Sequence, residues 1–161
     1  MTAALVLQAL FIVAVIYGGL CDLATFRIPN LVSYGLVLLF IPYAILGWGS
    51  LPLLWHVGMG LGFFIACVVF WQMGWIGAGD AKFLSAIALW MGRDRIFMFA
   101  LAMTIASVAF VVVLRFLRRW NPYFQGGNFP AFFKQLLTKA ETRVLPYGVP
   151  IAIGAVTAML S

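Results

Sequence analysis

From Ala3 to Leu20 the chain runs 18 residues without a charge. A helix of that length is about 27 Å long, close to the ~30 Å hydrocarbon thickness of a bilayer. Further apolar runs follow at Leu31–Leu46, Leu53–Met73, Ile96–Leu114 and Leu145–Leu160, with a shorter one at Ala81–Gly92. They are continuous rather than alternating, which predicts helices and not the strands of a transmembrane barrel. Only 9% of the residues are charged, against about 25% in an ordinary soluble domain. So few charges cannot cover a water-facing surface. The chain therefore reads as one all-α, polytopic transmembrane bundle of about six spans, a single domain over residues 1–161.

The breaks between runs carry local signals. Pro29 pushes Ile28 away from helix, and Asn30 is placed to cap the second span. Pro42 is a tolerated kink, and Gly47 to Pro52 is a tight turn. Gly58, Gly60 and Gly62 predict close helix contact. His56 reads as an interfacial side chain, because no second ligand lies near it in sequence. Trp71, Trp75 and Trp90 read as belt and packing residues. Arg93-Asp94-Arg95 reads as a charged turn, with Asp94 a solvated charge. Between Arg115 and Arg143 lies the one long polar connection. Within it, Pro130–Glu141 places Phe132, Phe133, Leu136, Leu137 and Ala140 at helical spacing. That predicts an amphipathic helix on the cytosolic membrane surface, anchored to anionic lipid through Lys134 and Lys139.

Several function classes are set aside. The net charge of +6 is spread over several loops without a nucleic-acid motif, so it reports topology and lipid rather than nucleic acid. Cys21 and Cys67 form no Cys-x-x-Cys pair, and neither a metal nor a disulfide framework is expected. The first run lacks the basic residues of a secretory leader and is expected to remain as a helix.

With the N-terminus outside, Arg27, Lys82, Arg115, Arg118, Arg119, Lys134, Lys139 and Arg143 face the cytosol, and only Arg93 and Arg95 face out. This satisfies the positive-inside rule. It also fixes two carboxylates at matching depth. Asp22 ends the first span on the cytosolic side. Two further passes bring the chain back to that side at Trp75-Ile76-Gly77-Ala78-Gly79-Asp80-Ala81-Lys82. A carboxylate at membrane depth costs at least about 2.5 kcal/mol at a helix centre, and usually marks a function.

Two carboxylates held together in a medium of low dielectric share one proton and titrate as a unit. Such a pair can activate water against an amide. The ionised member takes a proton from the water while the protonated member polarises the carbonyl. Gly77 and Gly79 would let main chain pass close to a substrate and adopt conformations closed to other residues. A structural reading stands beside this one. Asp22 could satisfy helix-end N–H groups or pair with Arg27, and Asp80 could cap the fourth helix.

Gly77-Ala78-Gly79-Asp80 resembles the Gly-x-Gly-Asp motif of intramembrane aspartic proteases. Asp22 followed by Arg27-Ile28-Pro29-Asn30 resembles the first catalytic segment of type IV prepilin peptidases. Gly79-Asp80-Ala81-Lys82 and Pro146-Tyr147-Gly148-Val149 are similar to further segments of that family. The resemblance implies an aspartic endopeptidase in the inner (plasma) membrane, without cofactor or metal. It would remove the basic leader of prepilin or pseudopilin precursors at the cytosolic face. Asp22 and Asp80 would be catalytic. Gly77, Gly79, Lys82, Arg27, Pro146 and Gly148 would bind substrate or form the surrounding loops. About ten residues separate the first two spans, without the paired Cys-x-x-Cys motifs of larger members, so methyltransferase activity is not expected. The compact form is similar to the peptidases of Flp-type, tight-adherence pili. Archaeal preflagellin peptidases are also similar. A small ion- or proton-coupled transporter, or a non-enzymatic assembly subunit, would use the same aspartates without proteolysis.

Overall fold

The computed structural model describes residues 2–119 and 146–161. The amphipathic segment expected over Pro130–Glu141 lies outside the described residues, as do the side chains of Arg118 and Arg119. Within them the structure is helical throughout, with no strand. In chain order the helices are α1 (Thr2–Thr25), α2 (Asn30–Leu46), α3 (Leu53–Gln72), α4 (Ala78–Arg119) and α5 (Gly148–Leu160). Segments Ala3–Thr25, Leu53–Gln72 and Ala78–Phe116 are long and apolar enough to cross a membrane, while α2 and α5 are shorter apolar helices.

A straight helix as long as α4 would reach about 60 Å, twice the thickness of a bilayer. It is not straight. Gly92 has φ 56° and ψ −154°, a backbone region that is essentially glycine's alone. The break divides α4 into a first arm, residues 78–91, and a second arm, residues 93–119. Arg95 hydrogen-bonds the Met159 sulfur at 3.1 Å near the end of α5. Met103 lies against Gly154, one to two turns nearer the start of α5. The second arm therefore runs antiparallel to α5, back toward the end of the bundle where α5 begins. The charged triplet Arg93-Asp94-Arg95, expected as a turn, is helical. The reversal falls one residue earlier because only Gly92 tolerates it. Asp94 is exposed, as expected.

The first arm is the centre of the bundle. Phe83, Ile87, Trp90 and Met91 are buried against Phe11 and Val15 of α1, Leu36 and Phe40 of α2, and Ile151 and Ala155 of α5. This resolves the short apolar run at Ala81–Gly92. It needs no full span of its own because the neighbouring helices cover it. Gly18 of α1 accommodates the Phe83 ring, and Gly19 brings α1 against Gly148 and Ala152 of α5. Of the three α3 glycines, only Gly60 sits in close contact, against Leu89; Gly58 and Gly62 face open space.

Two expectations change at the far end of the first arm. His56 is buried rather than interfacial, and its Nδ1 lies 2.8 Å from the Leu89 carbonyl oxygen. The helical break at Gly92 deprives carbonyls of the preceding turn of their usual partners, and the imidazole supplies one. Trp90 separates from the other tryptophans. It is buried and donates its indole N–H to the Leu36 carbonyl at 2.9 Å, whereas Trp71 and Trp75 are exposed. Arg93 lies over the Trp55 ring, 4.9 Å from its centroid.

Candidate active site

At the opposite end of the first arm, two loops and two helix starts converge. Helix α1 stops just after Asp22. Phe26 takes φ 55° and donates its N–H to the Asp22 carbonyl at 2.8 Å. A left-handed residue here ends the helix, and for a phenylalanine it costs about 1–2 kcal/mol. Pro29 then keeps the chain extended before α2.

The Asp22 side chain is 5% exposed, and its Oδ2 accepts the backbone N–H of Gly148 at 2.7 Å. Gly148 is the first residue of α5, so this N–H has no partner inside its own helix. A helix start offers such donors together with the positive end of its dipole, which suits a carboxylate. Glycine is required on steric grounds. A Cβ at position 148 would lie 2.7 Å from the Asp22 Cβ and 2.9 Å from its Oδ2. Pro146 is buried just ahead of this contact, and its ring restricts the approach to α5.

Asp80 is the third residue of α4. Its carboxylate turns back to the backbone N–H of Gly77, the arrangement of a capping box. A Cβ on Gly77 would stand 3.1 Å from the Asp80 Oδ2, so the close approach expected there exists. For Gly79 it does not, since a Cβ would meet Ile28 only at 3.7 Å. Nor does either glycine take a left-handed backbone. The glycine that does is Gly74 (φ 74°), which closes α3 with hydrogen bonds from Gly74 N to Trp71 O and from Trp75 N to Phe70 O. The structural roles anticipated for both aspartates are thus real, but they engage partners that also hold the carboxylates in place.

Asp22 and Asp80 line one cavity of about 530 Å³. That volume lies within the ~300–1,000 Å³ usual for ligand sites. Arg27, Gly77 and Gly79 line it as well, and so do Ile28, Trp75 and Tyr147 from the motif segments, together with Phe26, to which local sequence assigns no role. The strained φ of Phe26 leaves no trace in a sequence, because turn statistics favour glycine or asparagine there. Arg27 is exposed and, among the described residues, makes no ion pair with Asp22. Lys82 is not in the cavity. Its Nζ donates to Asn30 Oδ1 at 3.0 Å and lies 5.7 Å from the centroid of the Tyr34 ring. The N-cap position of α2 is held by Pro29, so Asn30 is the first helical residue rather than the cap. Among the described residues, no three His, Cys, Asp or Glu side chains gather as metal ligands would.

The cavity's volume is enough for part of an extended peptide segment. Residues 9–113 match the type IV leader peptidase family. The match includes both aspartates and ends before Pro146 and Gly148. Neither a curated protein nor a solved structure matches the chain.

Proposed function

The chain belongs to the type IV leader peptidase family, and from that premise we propose that it is an aspartic endopeptidase with Asp22 and Asp80 as its catalytic pair. It removes the basic leader of Flp-like prepilins or pseudopilins at the cytosolic membrane face. The observation that carries this reading is the shared cavity: residues 58 positions apart in sequence present their carboxylates to one space. In the reaction, one carboxylate takes a proton from water as the oxygen attacks the scissile carbonyl. The other donates a proton to the carbonyl oxygen, and the amide nitrogen leaves protonated. The Gly148 N–H keeps Asp22 oriented throughout.

In the membrane, the two arms of α4 count as separate passes and the bundle crosses six times. Its N-terminus lies outside, and both aspartates lie on the side that carries most of the lysines and arginines. The test is a processing assay in proteoliposomes. Asp22→Asn and Asp80→Asn should each abolish cleavage while the protein still inserts. Mature pilin produced by either variant rules the mechanism out, and solute or ion flux without cleavage favours a transporter.

A further inference from the structure

Both α2 and α3 pack on α4, yet they leave a groove between them with the first arm as its floor. The groove holds about 260 Å³ and is lined by Ser33, Tyr34 and Val37 of α2, Gly60 and Leu61 of α3, and Ser85 of the first arm, among others. From Lys82 to Leu89 it extends about 10 Å along the first arm, two helical turns. Its end nearest the site adjoins the catalytic cavity, because Lys82 lines the groove, Asn30 lines the cavity, and the two are hydrogen-bonded.

Ser33 is the unexplained residue. It is 3% exposed and lines the groove, and among the described residues its hydroxyl has no hydrogen-bond partner. Ser85, across the groove, already donates to the Ala81 carbonyl at 2.7 Å. Within a membrane an unpaired hydroxyl is costly, and a native structure rarely keeps one without a use. The groove between α1 and α5 offers a contrast. It is also apolar and begins beside Asp22, but among the described residues its only polar side chain, Thr157, donates to Ile153 and lies nine residues beyond Gly148. Among the described residues, no polar side chain lines its site end.

An apolar helix that starts near the aspartates brings a specific need. Its first four N–H groups have no partner of their own and meet no water in lipid. They require acceptors near the cut, on a surface apolar farther down. Ser33 Oγ and the remaining lone pair of Asn30 Oδ1 are acceptors at that level, and Val37, Leu61 and Leu89 continue below. Resting on the peptidase reading above, we infer that the groove between α2 and α3 seats the first two turns of the precursor's apolar helix. Ser33 and Asn30 receive its free N–H groups. Small side chains at Gly60 and Ser85 let the helix lie close, and the chain ahead of it crosses the Lys82–Asn30 contact to reach the carboxylates.

A photo-cross-linking side chain tests this in the inactive Asp80→Asn protein with intact precursor in liposomes. Placed at Val37 or Leu61, it should capture the first turns of the precursor helix, and placed at Leu20 or Ile153 it should not. Capture only from Leu20 or Ile153, or of lipid alone from Val37 and Leu61, overturns the assignment. Kinetics give a second reading. Ser33→Ala should lower the preference for intact precursor over a soluble peptide lacking the helix by about 5-fold, the worth of one hydrogen bond. The same variant should melt at a higher temperature, because the idle hydroxyl is gone. An unchanged preference overturns the role of Ser33. If the wild-type protein cleaves no precursor, the protease reading fails, and the cross-linking, which needs no turnover, still decides the groove.

Discussion

The two ends of the first arm of α4 differ in almost every physical respect. At Gly92 the arm is anchored by direct contacts. His56 meets the Leu89 carbonyl, Trp90 reaches Leu36, and Phe11, Phe40 and Tyr43 pack around the Trp90 ring with centroids 4.7, 5.7 and 4.9 Å away. At Asp80 the arm ends in an open cavity, and its capping partner is its own Gly77 backbone. One helix therefore carries a closely packed anchor and a half-buried acid about 18 Å apart along its axis. The difference teaches how a bundle this small holds a reactive group in position. The anchor supplies the rigidity, so the functional end can stay uncovered.

If the comparison is right, damage at each end has a different signature. Gly92→Ala should have the largest effect, and on stability. It forces alanine into a glycine-only backbone and places a Cβ 2.7 Å from the His56 ring. The cost is about 3 kcal/mol or more, read as a lowered melting temperature in detergent. Gly148→Ala should act on the reaction instead. Its Cβ must push Asp22 aside, and a displacement near 1 Å costs about 100-fold in kcat. The melting temperature should change less than for Gly92→Ala. Equal loss of stability in both variants would erase the division of labour. Trp90→Phe removes one hydrogen bond and part of a buried ring. It should destabilise by about 1–2 kcal/mol, and the surviving folded protein should process precursor at a normal rate. Phe26→Gly is the smallest and has the opposite sign. Relief of the left-handed strain should stabilise the protein by about 1 kcal/mol, while loss of a ring from the cavity wall lowers turnover. Loss of stability in that variant would mean that the ring is a packing residue.

These residues also separate what was legible in the sequence from what was not. The helical class follows from continuous apolar runs. The matching depth of Asp22 and Asp80 follows from counting passes, because hydropathy and helix length are properties of local sequence. Sequence treats Gly77 and Gly79 alike, yet only Gly77 is pressed against the carboxylate. In this stretch the left-handed backbone falls on Gly74 instead. The resemblance of Gly79-Asp80-Ala81-Lys82 to a family segment places Lys82 with the site. Two residues farther along a helix, it points to a different face and reaches Asn30.

Sequence by itself determined a membrane-embedded helical chain with two acids carried to one end. Tertiary structure alone decided what holds them. The N–H that orients Asp22 comes from 126 positions away, His56 is drawn into the core by a carbonyl freed at Gly92, and Ser33 faces a groove because α2 and α3 lean on α4 rather than on each other. Hydropathy is summed along the chain and survives any packing. A hydrogen bond depends on distances of a few ångströms between segments that only the folded bundle brings together.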